Sequence, residues 1–227
     1  MTQPPVQRAL LLLAAACPEA SAEALAQLSI GRRDARLLTL REWTFGSQLL
    51  SLAACPKCSE RLELSFNVAD IRVERESEPA VQVALSIEDS EMRFRLPNSL
   101  DLACIAGSNN LAAARQLLLA RCLVEAHHNG EQAAIDQLPV EVVETAVKRL
   151  AEADPQAEVQ LNLSCPACGH QWLALFDIVS FFWSEINAWA YRILHEVHFL
   201  ASAYGWREAD ILALSPSRRQ FYLDRLK

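Results

Sequence analysis

The apolar positions near the amino terminus follow a helical spacing. Leu and Ala recur at this spacing through roughly the first 45 residues, and Ser21 is placed to cap a helix that starts in AEALAQL. A second helix is predicted from about Gly31 to Gly46, where glycine ends it. The residues LELSFNV, just after the first cysteine pair, alternate apolar and polar, which predicts a strand.

The middle of the chain mixes strand and helix patterns. VQVALSI and MRFRLP, joined by EDSE, predict a β-hairpin, and the charged stretch RESEPA before them predicts a loop or linker. Asn98 or Ser99 is placed to cap the next helix, NNLAAARQLLLARCLVEA has an amphipathic helical pattern, and HHNGEQAAIDQLP is predicted to be a loop. Pro139 suits the first turn of the helix VEVVETAVKRLAEA, which Asp154 and Pro155 close.

The last part of the chain predicts two strands and then helices. VQLNLS and WLALF flank the second cysteine pair as strands. From Asp177 to about Tyr204, apolar residues recur every three or four positions, which predicts one helix that is about 40 Å long. Gly205 ends it, and two short helices follow in READILAL and SRRQFYLDRL, the second with Ser215 as its cap and Pro216 at its first position.

Two patterns occur twice in the chain. CPKCSERLELSF begins at Cys55 and CPACGHQWLALF at Cys165, each with an apolar residue four positions after its second cysteine and a Phe four further on. ALAQLSIGRRDARLL and DILALSPSRRQFYL share the motif Leu-Ser-x-x-Arg-Arg between two helices. Because helices precede the first cysteine pair but follow the second, this is not the order of a tandem duplication. We interpret the chain as helical pairs that flank one unit built from both cysteine pairs.

Composition narrows the class of protein. The chain has 227 residues, 52% of them hydrophobic, which is enough for one large domain or two small ones. The net charge of −7 argues against nucleic acid as a partner. Mean hydropathy is +0.08, and no apolar run approaches the ~18 residues of a membrane span. VQRALLLLAAAC has weak features of a lipoprotein signal, but a core helix explains it as well, and we expect a cytoplasmic protein.

The two Cys-Pro-x-Cys pairs predict a metal site. In a reducing compartment seven cysteines do not indicate a disulfide scaffold, and four thiolates in a tetrahedron suit Zn²⁺. We expect one structural zinc ion bound by Cys55, Cys58, Cys165 and Cys168, with the residues between the pairs forming an insertion whose ends return together. A thioredoxin-like redox site is the alternative, but it does not explain the second pair.

The predicted fold is α+β and mainly helical, with a small zinc-ribbon-like β unit. The predicted organisation has four parts: an N-terminal helical segment (1–48), a paired-knuckle zinc ribbon (49–78 and 156–176), an inserted hairpin with helices (79–155), and a long helix with a short helical module (177–227). The sequence contains none of the glycine-rich phosphate-binding motifs or the serine-hydrolase motif, and we expect neither an enzyme nor a small-molecule substrate.

The paired arginines have two interpretations. Arg32 with Arg33, and Arg218 with Arg219, each open a helix in the same motif. They are either a solvated face or a surface that contacts acidic groups on a neighbouring subunit through the planar guanidinium.

One resemblance to a known family covers most of the chain. CPEASAEALAQLSIGRRDARLLTLREWTFG, both cysteine pairs and EVHFLASAYGWREADILALSPSRRQFYL resemble phage baseplate and baseplate-assembly proteins of contractile tails and phage-tail-like injection particles. The residues that carry the resemblance in the last stretch are Glu196, Trp206, Leu212, Arg218, Arg219 and Tyr222. The resemblance implies a scaffold or assembly factor that binds other baseplate or tail proteins, with Arg32, Arg33, Trp206, Arg218, Arg219 and Tyr222 as candidate contact residues. A zinc-ribbon nucleic-acid adaptor is the alternative function.

Overall fold

The computed structural model describes residues 3–73 and 82–226, and the predicted RESEPA loop lies outside these residues. Helices and small antiparallel sheets combine in them, so the predicted α+β class is confirmed. The chain divides into two compact units, Met1–Val179 and Ser180–Lys227.

Three helices begin the first unit: α1 (Pro5–Ala16), α2 (Ala22–Ala26) and α3 (Ile30–Phe45). The hydroxyl of Ser21 accepts a hydrogen bond from the N–H of Ala24 and caps α2, as the sequence predicted. Gly46, with φ of 88°, ends α3 because this conformation favours glycine. The apolar faces of these helices are buried at Ala9, Leu12, Leu13, Leu25, Leu37 and Leu38.

A first hairpin follows, made of β1 (Gln48–Ala54) and β2 (Arg61–Asn67), and the short helix α4 (Val68–Ile71) comes after it. The sequence pattern predicts β2 but not β1. The reason is that β1 carries leucine on both faces: Leu49 is buried, whereas Leu50 and Leu52 are exposed. Polar and apolar residues therefore do not alternate cleanly along this strand.

Between the two hairpins, the described residues 82–153 form a four-stranded antiparallel sheet and three α-helices. The strands are β3 (Gln82–Ile87), β4 (Ser90–Arg95), β5 (Leu123–His128) and β6 (Glu131–Gln132), in that spatial order. The helices are α5 (Ser99–Ile105), α6 (Leu111–Cys122) and α7 (Val140–Ala153). Phe94, Leu119, Val142 and neighbouring apolar residues form one buried cluster of the sheet with α6 and α7.

One helix prediction in this segment is wrong. The sequence pattern predicts a helix through residue 126 and then a loop, but α6 ends at Cys122 and β5 begins at Leu123. Pairing of β5 with β4 overrides the helical preference of these residues. Asn129 and Gly130 have φ of 53° and 82°, which is typical of an Asn-Gly hairpin turn and was a signal present in the sequence.

The first unit closes with a second hairpin, and helices make up the second unit. A 3₁₀ turn (Pro155–Ala157) leads into the predicted strands β7 (Val159–Ser164) and β8 (Gln171–Phe176). The predicted long helix is α8 (Ile178–Tyr204), which runs from the end of the first unit into the second. The helices α9 (Glu208–Ala213) and α10 (Pro216–Leu223) follow, and Ser215 caps α10 as predicted.

A buried carboxylate ties β4 to α5 and α6. Asp101 is inaccessible to solvent, and it accepts hydrogen bonds from Arg95 at 2.8 Å, Arg121 at 2.9 Å and the N–H of Asn98 at 3.0 Å. Burial disfavours its charge, but these hydrogen bonds outweigh that effect and hold the pKa of Asp101 below its usual value.

We predict that Asp101→Asn lowers the free energy of unfolding by about 2 kcal/mol at pH 7, because it leaves the half-buried Arg95 and the exposed Arg121 without their buried anion. The contribution of Asp101 is present above its unfolded-state pKa and is lost as the pH falls through its lower folded-state pKa. The variant should therefore lose less stability in acid than the parent, as measured by urea unfolding between pH 2.5 and 7. Asp136→Asn, at an exposed position, is the control and should match the parent.

Candidate metal centre and helical modules

Each Cys-Pro-x-Cys pair lies in the tight turn of a hairpin. In the first turn, the N–H of Cys55 donates to the carbonyl of Glu60, and the N–H of Ser59 donates to the carbonyl of Cys55, both at 2.9 Å. In the second turn, the N–H of Cys165 donates to the carbonyl of His170, and the N–H of Gly169 donates to the carbonyl of Cys165, again both at 2.9 Å. The two turns are therefore the same backbone knuckle, built twice.

The knuckles face each other and bring four sulfurs together. Sγ of Cys55 lies 3.7 Å from Sγ of Cys168, Sγ of Cys58 lies 3.6 Å from Sγ of Cys165, and all four sulfurs lie within 4.8 Å of one another. A tetrahedron with Zn–S bonds of about 2.3 Å has sulfur–sulfur edges of about 3.8 Å. The four predicted ligands are thus arranged so that they could hold one metal ion.

The inner faces of the two hairpins position the cysteines. Cys55 and Cys165 are buried in one cluster with Leu62, against which Leu64 and Trp172 pack. Further along the strands, the rings of Phe66 and Phe176 meet edge to face, with centroids 5.6 Å apart. The apolar residue and the Phe that recur after each pair in the sequence are therefore the contacts that join the hairpins.

The electrostatics of the site fit a crowded thiol cluster. Burial disfavours the Cys55 thiolate, but backbone hydrogen bonds from Cys58 and Lys57 outweigh it and lower the pKa of Cys55 to about 7. At Cys58 the backbone of Glu60 favours the thiolate, but the Cys168 thiol and burial prevail and raise its pKa to about 12. A divalent cation in such a site would be expected to displace the remaining thiol protons.

The amino-terminal copy of the Leu-Ser-x-x-Arg-Arg motif is the start of α3. Ser29 caps this helix through the N–H of Arg32, which is half-buried. Arg33 is buried, with Nε 2.7 Å from the Asp34 carboxylate. The N–H of Gly31 donates to Asp154 at 2.8 Å, and a Cβ at this position would collide with that carboxylate.

The carboxy-terminal copy is the start of α10. Arg219 is buried, with Nε 2.8 Å from Glu196 and Nη1 2.7 Å from the carbonyl of Leu214, whereas Arg218 is exposed. The half-buried rings of Trp206 and Tyr222 meet edge to face with centroids 4.8 Å apart.

The two copies share one local design. In each, serine caps the helix and the second arginine of the pair is buried, at 5% exposure for Arg33 and 6% for Arg219. The second arginine is therefore part of the internal packing of its module, and the first is the more accessible one. A role of these residues in contacting partners stays a prediction.

Comparison with known proteins identifies the family. A family described as T4 bacteriophage base plate protein matches residues 2–183, and the chain belongs to this family. Searches of curated proteins and of solved structures gave no match. Membership supports a structural role in a phage baseplate and contact with other baseplate proteins, as the resemblance implied. The motif around Arg218 lies beyond the matched residues, and within the described residues no helix is both long and apolar enough to cross a membrane.

The paired knuckles provide a matched test of backbone strain. Ser59 has φ of 61° and Gly169 has φ of 68°, and a Cβ at Gly169 would meet no other atom within 4 Å. Because the left-handed conformation costs a non-glycine residue about 1 kcal/mol, we predict that Ser59→Gly stabilises the protein and Gly169→Ala destabilises it, each by about that amount. Chemical denaturation of both variants measures this. Changes of the same sign would contradict the equivalence of the two turns.

Proposed function

We propose that this chain is a structural or assembly protein in the baseplate of a contractile, phage-tail-like particle, and that it works by protein–protein binding. The family match over residues 2–183 is the observation that carries the proposal. Family membership also points to structural rather than enzymatic work. We infer that the chain is cytoplasmic while the particle assembles.

We further propose that the four-cysteine site holds one structural Zn²⁺ ion. An all-sulfur set favours a soft or borderline cation, and four thiolates leave no open position for water or substrate. The ion would join the two hairpins and so hold together the ends of the inserted segment. This role requires no chemistry beyond binding.

Metal analysis tests the zinc site directly. We predict one zinc per chain, and a fall in melting temperature of more than 10 °C when a strong chelator removes it, because the metal's binding free energy stabilises the fold. The double variant Cys58→Ser with Cys168→Ser should lose both the zinc and this response. Cys104→Ser, at an exposed cysteine outside the site, is the control. A chain that contains no metal yet melts at the same temperature with or without chelator would contradict the proposal.

The accessible arginine of the carboxy-terminal module is our candidate contact. Because Arg218 is exposed whereas Arg219 is paired with Glu196, only the first can be reversed without disturbing the module. We predict that Arg218→Glu reduces the amount of this chain that co-purifies with particles or tail proteins at least fivefold, at unchanged melting temperature. Arg219→Glu should lower the melting temperature as well.

Lys148→Glu on α7 makes the same change of charge at another exposed position and serves as the control. If Arg218→Glu and Lys148→Glu both leave recovery with particles at the parental level, the proposed contact at Arg218 is wrong.

A further inference from the structure

An apolar groove of about 520 Å³ lies in the first unit, among α3, α6, α7 and the β7–β8 hairpin. Apolar side chains form most of its lining, among them Ile30, Leu102, Leu118, Val147, Leu150 and Phe176. A groove of this volume is large enough for a ligand or for the side chains of a bound peptide. The sequence pattern did not reveal it, because its walls come from distant segments of the chain.

The apolar surface continues beyond the groove. Leu175 lines the groove and is 71% exposed, and Leu173, which points to the same face of β8, is 65% exposed. A compact small molecule inside the groove would leave Leu173, which is not part of the lining, in water. A polypeptide segment could fill the groove and cover the strand face as well.

The charged residues around the groove are mostly acidic. Four carboxylates line it, against two arginines: Asp34, Asp154, Glu158 and Asp177, with Arg33 and Arg115. Arg33 already pairs with Asp34 at 2.7 Å. The local field therefore favours a cation in the occupant.

Asp34 lines the groove with a side chain that is only 14% exposed. Burial raises its pKa to about 6, the adjacent Arg33 opposes this shift, and the charges of Asp177 and Asp154 add to it. At neutral pH the Asp34 carboxylate is thus ionised although burial makes its charged form less favourable. A positive charge placed beside it would offset this effect.

We propose that this groove binds a segment of another baseplate or tail protein, which inserts one or two large apolar side chains and places a Lys or Arg beside Asp34. The proposal rests on the proposed function, in which the chain acts by binding proteins. It adds a second candidate contact surface, made of residues other than those of the carboxy-terminal module. The whole groove lies within the residues that match the family, 2–183, whereas Arg218 lies outside them.

The chemistry of the groove can be tested on the isolated protein with two probes of equal length. We expect octylammonium to shift the methyl NMR signals of Leu118, Val147 and Leu150, and to bind about fivefold more tightly than octanoate at pH 7.5. The affinity for octylammonium should fall at pH 5, where Asp34 is protonated. Equal affinity for the two probes, or shifts confined to other methyl groups, would overturn the proposal.

Two variants separate the charge from the shape of the groove. Asp34→Asn removes one of the four carboxylates and should reduce the preference for octylammonium, while both probes still shift the methyl signals of the groove. Ala151→Trp places a large ring in the lining and should block both probes, whereas Ala112→Trp, at an exposed position of α6 outside this lining, should not. An undiminished preference for octylammonium in Asp34→Asn would show that Asp34 does not select the cation.

The identity of the occupant is tested in cells that make the particle. A photo-crosslinking phenylalanine analogue at Leu175, an exposed position, should capture a different tail protein through a peptide that holds apolar residues next to Lys or Arg. This capture should weaken in Ala151→Trp. A cross-link to a second copy of the chain, or no cross-link from a chain that is incorporated normally, would overturn the groove proposal and leave the baseplate role standing.

Failure of the chain to associate with any tail protein would count against the baseplate role, and the probe experiment would still decide the chemistry of the groove.

Discussion

Cys58 and Cys165 are 107 positions apart in the chain, yet their sulfurs lie 3.6 Å apart. An isolated two-stranded hairpin is at best marginally stable in water. When the hairpins face each other, each covers the apolar inner face of the other through Leu62, Trp172 and the Phe66–Phe176 contact. A shared ion would add the bonds that fix this arrangement. The two ends of the segment between the hairpins also meet, where the N–H of Val73 donates to the side chain of Gln156 at 2.8 Å.

The inserted sheet with α6 and α7, joined to the hairpins and α3, creates a surface that no single segment has. The walls of the groove come from α3, α6, α7 and β8. The carboxylates of Asp34, Asp154 and Asp177, which also line it, belong to three different segments of the chain. Burial, together with the nearby charges of Asp177 and Asp154, raises the pKa of Asp34 to about 6 against the opposing effect of Arg33. The candidate binding surface therefore exists only when these segments are packed together.

The repeated Leu-Ser-x-x-Arg-Arg motif shows how much a local pattern can specify. In both copies the serine caps a helix, which depends only on neighbouring backbone groups. The acid that balances the buried arginine differs, since Arg33 meets the adjacent Asp34 whereas Arg219 meets Glu196, 23 positions away. The motif therefore determines the start of the helix, and the surrounding module determines the ion pair.

The sequence by itself determined most helices, three of the four hairpin strands beside the cysteines, and the four sulfur ligands as residue types. Helical spacing, serine caps and the Cys-Pro-x-Cys turns involve only a few neighbouring residues, so they can be recognised from the sequence alone. The tertiary structure alone decided that α6 ends at Cys122 and β5 begins at Leu123, that β1 exposes leucines, and that Asp34 belongs to an apolar groove. Each of these depends on contacts between distant segments, namely pairing with β4, packing of one hairpin face against the other, and burial beside residues from elsewhere in the chain. No local pattern records such contacts.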